Sequence, residues 1–151
     1  MLKQEHFPEW KGNTFPVTNL LTNAPLEIFG ENFWLAPNLQ DSAEFVLDLG
    51  CEKTVNMVEL VNTHDGYWRD RSMKEFKVFL SSESPDGPWE EVVHQTLEDG
   101  RQQADPLPLQ IFPFTERTAK FVKFNQISYF GSGGGLQYFS RTRLFCFLSF
   151  I

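Results

Sequence analysis

The stretch that decides the fold covers residues 45–80 and reads FVLDLGCEKTVNMVELVNTHDGYWRDRSMKEFKVFL. It contains three runs with strand character, 45–49, 55–62 and 76–80. Apolar side chains at alternate positions are typical of a β-strand, because successive side chains point to opposite faces of a sheet. The stretch therefore predicts three strands of a two-layered β-structure, with Phe76 and its alternate neighbours on one face.

Between the second and third runs lies a loop, residues 63–72, that is rich in aromatic and hydrogen-bonding side chains. Small-ligand sites commonly place a few polar groups among aromatic rings. A sugar needs a flat aromatic surface for its apolar face and planar groups for its hydroxyls. The loop residues that supply these groups are His64, Tyr67, Trp68, Arg69 and Arg71.

The alternative for this loop is purely structural. Trp68 would then pack on the bottom of the sandwich, and Arg71 would pair with Asp70 or Glu75 on a solvated face. The sequence leaves both interpretations open, and the loop is its first candidate for a binding site.

The rest of the chain shows no sustained helical period, and it contains several short alternating runs separated by turn signals. Such spacing predicts a β-sandwich or barrel. Pro85, Asp86 and Gly87 predict a tight turn after the third run. Further strands are predicted at 89–94, at 107–112 with Leu107, Leu109 and Ile111 inward, at 119–127, and near 136–144.

Three regions are predicted along the chain. Residues 1–13 form a polar lead-in, residues 14–144 form the β-sandwich domain, and residues 145–151 form an apolar tail of undetermined role. The tail is too short to span a bilayer, which takes about 20 residues.

The net charge of -7 limits the classes of partner. Non-specific binding to nucleic acid needs clustered Lys and Arg, so nucleic acid is excluded as a partner. Electrostatic attachment to anionic lipid is disfavoured for the same reason.

Two cysteines, Cys51 and Cys146, are too few for a disulfide scaffold, and the sequence does not decide whether they pair. The N-terminus has no apolar segment of a signal peptide, and no N-glycosylation sequon occurs. These features favour a cytoplasmic protein or a module excised from a larger one, and the compartment stays undetermined.

A catalytic site is not predicted. The histidines, His6, His64 and His94, are far apart in sequence, and no nucleophile or metal-binding motif is present. The glycine-rich segment 131–135 lacks the Lys and the flanking helix of a phosphate-binding loop, so it is interpreted as a turn.

Several segments in order resemble those of a known family. They are 44–50 (EFVLDLG), Arg71 followed by the alternating run 76–80, 86–89 (DGPW), 119–124 (AKFVKF), and the glycine-rich segment that leads to 136–139 (LQYF). Residues 17–144 resemble the discoidin domain family, also called the coagulation factor V/VIII type C domain, within the galactose-binding-like superfamily.

This resemblance implies an all-β fold, an antiparallel jelly-roll β-sandwich of about eight strands with ligand loops at one end. It also implies a binding module rather than an enzyme. The family's ligands include galactose-type sugars, anionic phospholipids and proteins. Because the resemblance puts the glycine-rich loop at the same end as loop 63–72, Tyr129 and Phe130 join the ligand-binding candidates.

The resemblance also raises the question of calcium, although no cofactor is required. Many carbohydrate-binding members hold a structural calcium through an early segment and a Glu in the last strand. Here Glu31 and Asn32 could donate oxygens, but the last-strand position is Tyr138, a poor ligand for a hard cation. The disulfide that joins the two ends in extracellular members is absent, because Cys51 lies inside the strand block.

The sequence thus favours a carbohydrate-recognition module for galactose-type sugars or glycoproteins, which could gain avidity by oligomerising. The alternative is an intracellular protein-interaction or scaffold domain. Binding to a phospholipid surface is the least favoured hypothesis.

Overall fold

The computed structural model describes residues 9–10, 13–14, 34–35, 43–62, 72–102, 108–130 and 139–140. Its strands are β1 (Glu9–Trp10), β2 (Asn13–Thr14), β3 (Trp34–Leu35), β4 (Ala43–Val61), β5 (Ser72–Met73), β6 (Glu75–Ser81), β7 (Glu90–Thr96), β8 (Leu109–Gln126), β9 (Tyr129–Phe130) and β10 (Phe139–Ser140). One 3₁₀ turn covers Gly100–Gln102. Every strand pair is antiparallel, which confirms the predicted antiparallel all-β class.

The central sheet has four strands in the order β4-β8-β6-β7. The short strands form three two-stranded sheets, β1 with β2, β3 with β10, and β5 with β9. The connection from β6 to β7 is a hairpin, whereas β8 inserts between β4 and β6 although it follows both in the chain. The sheet is therefore held together by pairings between residues distant in sequence.

Strand β4 is longer than predicted because it continues through Gly50 instead of ending there. Its first part pairs with the end of β8, Asp48 facing Phe121, and the register then shifts before Lys53. Gly50 has a φ of 82°, a left-handed conformation that glycine adopts without steric cost. Its N–H donates to Oδ1 of Asp48 at 2.8 Å, which fixes the bulge.

Both long strands bend, and the bend creates the second layer. The ring of Phe76 lies 5.0 Å from Phe112 and 5.4 Å from Phe124, measured between ring centroids. Phe112 and Phe124 both belong to β8. A straight strand rises about 3.3 Å per residue and would separate these two residues by roughly 40 Å. Strand β8 therefore folds back over the sheet, and the layers enclose the core as a sandwich.

Stacked phenylalanine rings form the centre of the core. Phe45, Phe124 and Phe76 lie on three adjacent strands, with centroid distances of 5.3 and 5.4 Å and nearly parallel ring planes. Phe76, Val78 and Leu80 are at most 4% exposed, so the predicted inward face of the third run is confirmed.

The predicted orientation of the run 107–112 is wrong at two positions. Leu109 and Ile111 are 46% and 54% exposed, whereas Phe112 packs edge-on against Phe76. Because side chains alternate along a strand, the inward position of Phe112 turns Ile111 outward. The larger aromatic ring fills the space between the layers. Leu107 lies outside the described residues.

The predicted turn after β6 is present. The N–H of Gly87 donates to the carbonyl of Ser84 at 3.2 Å, and Gly87 has a φ of 105°. The hydroxyl of Ser84 donates to the carbonyl of Gly87 at 2.8 Å. These bonds close the turn between β6 and β7.

The apolar tail 145–151, including Cys146, lies outside the described residues, as does most of the polar lead-in. Cys51 is an exposed free thiol on the β4 bulge. Among the residues that the structure describes, none forms a helix of the length and hydropathy needed to cross a membrane.

Candidate functional site

The buried side chain of Asn62 organises one end of the sandwich. Asn62 follows β4 directly and is 2% exposed. Its Nδ2 donates to the carbonyls of Met73 at 2.7 Å and Glu98 at 2.9 Å, and its Oδ1 accepts the N–H of Met73 at 2.9 Å. One amide thus connects the end of β4, strand β5 and the segment after β7.

Two further hydrogen bonds strengthen this junction. The N–H of Gly100 donates to Oγ of Ser72 at 3.0 Å, and the N–H of Leu97 donates to the carbonyl of Lys74 at 2.8 Å. Ser72 is 1% exposed, so its hydroxyl works as a buried anchor. Asn62 and Ser72, the described residues on either side of segment 63–71, are therefore fixed to the same base.

Strand β9 lies beside this base. Ser72 pairs with Phe130, and Met73 pairs with Tyr129. We call the assembly of Asn62, β5, β9 and the 3₁₀ turn the loop end. The loop end thus includes Asn62 and Ser72, which border segment 63–71, and Phe130, which precedes segment 131–138 in the chain.

Two cationic side chains lie near the half-buried ring of Phe130. Nζ of Lys74 lies 5.8 Å from the ring centroid, and Cζ of Arg101 lies 5.7 Å from it. Both distances are within the range of cation–π interactions. Lys74 is exposed, whereas Arg101 comes from the 3₁₀ turn.

Asp99 fixes the position of Arg101. Oδ1 of Asp99 accepts the Nε–H of Arg101 at 2.9 Å, and Oδ2 accepts an N–H of its Nη2 at 2.7 Å. Such two-point contacts define the orientation of a guanidinium group. The side-chain hydrogen bonds from Arg101 lower the pKa of Asp99, and the same bonds raise the pKa of Arg101.

The structure describes two of the predicted ligand-binding residues. Tyr129 and Phe130 are half-buried on β9 at the loop end. The other predicted residues lie outside the described residues; they are Glu31, Asn32, His64, Tyr67, Trp68, Arg69 and Arg71. The pairing of Ser72 with Phe130 nevertheless puts the residue after Arg71 directly opposite β9.

The residues predicted from the sequence did not include Asn62, Asp99 or Arg101. Their roles depend on contacts between distant segments, and no local motif signals such contacts. The only available signal was the position of Asn62, a polar residue at the border between an alternating run and a candidate ligand loop.

Within the part of the chain that the structure describes, no three His, Cys, Asp or Glu side chains form a group that could hold a metal ion. The predicted calcium ligands, Glu31 and Asn32, lie outside that part, so the calcium site stays a prediction.

The opposite end of the sheet carries a different aromatic cluster. Nζ of Lys123 lies 4.7 Å from the ring centroid of Phe79 and 4.8 Å from that of Trp89. A cleft of about 230 Å³ adjoins Trp89, and Glu90 in its lining pairs with Arg117 at 2.8 Å. The charged residues of the cleft lining are Glu83 and Glu90, and no ligand class follows from them.

Taken together, the antiparallel strands and the bent β8 define a β-sandwich protein in which β5 and β9 pair at one end. The family profile described as "F5/8 type C domain" matches residues 4–140. The chain therefore belongs to the F5/8 type C, or discoidin, domain family, which confirms the resemblance seen in the sequence. The match begins inside the segment predicted to be a polar lead-in.

Solved structures with this fold match nearly the whole chain. Chitosan-binding module 1, derived from a chitosanase/glucanase of Paenibacillus sp. IK-5, is 20% identical with a TM-score of 0.63, covering 93% of this chain and 92% of the module. The CBM32 of AlyQ in complex with 4,5-unsaturated mannuronic acid is 19% identical with a TM-score of 0.64, covering 96% and 93%.

A third similar structure is the family 32 carbohydrate-binding module from Streptococcus pneumoniae EndoD. It is 14% identical with a TM-score of 0.67, covering 96% of this chain and 94% of the module. At these identities the similarity establishes the β-sandwich fold. No curated protein matches the sequence.

Proposed function

We propose that this chain is a non-catalytic carbohydrate-binding module that binds its ligand at the loop end. The observation that carries the proposal is the pairing of β5 with β9. This pairing brings the base of segment 63–71 next to Tyr129 and Phe130. Ser72, which borders segment 63–71, therefore lies beside Tyr129 and Phe130, at the end of the sandwich where the family resemblance expects the ligand loops.

The residue types in these segments suit a sugar. Tyr67 and Trp68 offer aromatic surfaces for the apolar face of a pyranose, and Arg69 and Arg71 offer planar donors for hydroxyl pairs. His64 adds a further polar group. Galactose-type sugars are the ligand class that the family resemblance favours.

The rigid base under segment 63–71 supports the same function. Binding loops work best when a scaffold fixes their ends, because less conformational entropy is lost on binding. Asn62 and Ser72 border the segment and are both buried and hydrogen-bonded. Their positions supply such a scaffold.

Similar structures provide support of a different kind. One of them is a chitosan-binding module, and another is a CBM32 in complex with 4,5-unsaturated mannuronic acid. These ligands are carbohydrates of different charge and chemistry. Because both ligands are carbohydrates, they support a carbohydrate ligand for this chain. They do not select a particular sugar.

A glycan array probed with the purified domain tests the proposal. We expect specific binding to galactose-type glycans, and an arm with chelator added determines whether calcium contributes. Correct folding of the sample is checked first by circular dichroism and by a cooperative unfolding transition. A folded sample that binds no glycan would contradict the proposal and favour the protein-interaction alternative.

A further inference from the structure

We infer that the loop end selects acidic carbohydrates, through an anion-binding subsite formed by Lys74, Arg101 and Phe130. This inference rests on the proposed function and adds a ligand class to it. The ligand group is a carboxylate or a sulfate carried by a sugar ring.

The first argument is the geometry around Phe130. The ammonium of Lys74 and the guanidinium of Arg101 each lie within 6 Å of the same ring centroid. A pyranose in contact with this ring would therefore have its substituents close to both cations. Aromatic contact and charge recognition would then act on one sugar residue.

The second argument is the local balance of charge. Asp99 pairs with Arg101 and neutralises it, with the two side chains only 20% and 24% exposed. Lys74 pairs with no carboxylate among the described residues, although it is exposed beside the ring. The ammonium of Lys74 is thus the charge of the subsite that no ion pair with a described carboxylate neutralises, on a chain whose net charge is -7.

Glu75 and Asp99 are carboxylates that could compete with an external anion for Lys74. Glu75 is its neighbour in sequence, but Oε1 of Glu75 lies 2.6 Å from Nε2 of His94. Asp99 is held by Arg101 in the arrangement described above. Both of these carboxylates are therefore already engaged by another side chain.

The fixed backbone of Lys74 favours recognition over non-specific attraction. Its N–H donates to the carbonyl of Ser128 at 2.9 Å, and its carbonyl accepts the N–H of Leu97. The ammonium therefore projects from a defined point beside β9. An anion bound there would have a preferred position relative to the ring.

The test uses matched pairs of glycans that differ only in an anionic group. Oligogalacturonate is compared with its methyl ester, and a sulfated galactoside with its unsulfated form. The two pairs distinguish a carboxylate ligand from a sulfate ligand. We expect wild-type protein to bind the anionic member of at least one pair about tenfold more tightly, with the preference weakening as salt is added.

Lys74→Gln is the diagnostic variant, because it removes the unpaired charge without leaving Asp99 alone. We expect it to lower affinity for the anionic member about three- to tenfold and to lower affinity for the neutral member clearly less. Lys120→Gln is the matched control. Nζ of Lys120 lies 5.3 Å from the ring centroid of Phe121, so this variant also removes one charge and one lysine–aromatic contact.

Three results would overturn the inference. Equal or better binding of the neutral members would do so while leaving the proposed function intact. An equal loss for both members in Lys74→Gln, or the same loss in Lys120→Gln, would assign the effect to structure or net charge. A folded protein that binds no member of either pair and no glycan on the array would remove the proposed function as well.

Discussion

The side chain of Asn62 forms two hydrogen bonds with the backbone of Met73 across the base of segment 63–71. Oδ1 of Asn62 accepts the N–H of Met73, and its Nδ2 donates to the carbonyl of the same residue. The amide thus pairs with Met73 as a neighbouring strand would. Because both residues are buried, neither backbone group can turn to water when the amide is removed.

Replacing this amide should destabilise the fold. Asn62→Ala leaves the N–H and C=O of Met73 and the carbonyl of Glu98 without their partner. We expect a loss of about 2–4 kcal/mol in the free energy of unfolding, measured by urea denaturation. Asn56→Ala is the control, because Asn56 is a half-buried residue of the same strand. Equal losses in both variants would contradict the role assigned to Asn62.

The ring stack in the core makes a second prediction. Phe76→Ala removes a ring with no exposed surface that contacts both Phe112 and Phe124. We expect it to cost about 3–5 kcal/mol of stability. Phe79→Ala on the opposite face of β6 is the control and should cost clearly less, since Phe79 is only half-buried. Similar costs would show that the two layers do not meet at Phe76.

Much of this fold follows from local sequence patterns. The alternation of Phe76, Val78 and Leu80 predicts their burial, and the Pro85-Asp86-Gly87 sequence predicts the turn. Gly50 shows what local patterns cannot predict, because an alternating run that ends in glycine resembles the end of a strand. Whether the strand ends at Gly50 or continues through a bulge depends on its pairing with β8, which is distant in sequence.

Local patterns also do not decide which face of an apolar strand points inward, or which residues form the site. Leu109, Ile111 and Phe112 are all apolar, so alternation alone does not decide which of them points inward. Contact with Phe76 decides it. The cations beside Phe130 come from positions 74 and 101, and only the folded chain brings them together.

The ion pair beside the site predicts a pH dependence. Hydrogen bonds from Arg101 lower the pKa of Asp99 below its ordinary value of 3.8. A lowered folded-state pKa means that the carboxylate stabilises the fold above the unfolded pKa and that this contribution is lost as the pH falls through the folded value.

Asp99→Asn should therefore destabilise the protein by about 1 kcal/mol at pH 7, a modest value because the pair is partly exposed. The difference from wild type should shrink below about pH 4, as wild type loses the charge that the variant already lacks. Urea denaturation at both pH values measures it, with Asp86→Asn in the exposed turn as the control. A difference that stays constant with pH would contradict the assigned ion pair.

The loop residues predicted from sequence make a functional prediction. Arg71→Ala and Trp68→Ala should abolish retention of the domain on an immobilised glycan selected by the array, while the unfolding transition stays unchanged. Arg117→Ala is the control at the opposite end, where Arg117 pairs with Glu90. Full retention of both loop variants would remove segment 63–71 from the site.

The central claim is that ligand binds at the loop end, and nuclear magnetic resonance tests it most directly. A glycan selected by the array is titrated into isotope-labelled protein while backbone amide signals are followed. We predict shifts at Met73, Lys74 and Phe130, and unchanged signals in the turn at Ser84 and Gly87. Shifts confined to that turn, or to the cleft beside Trp89, would contradict the claim.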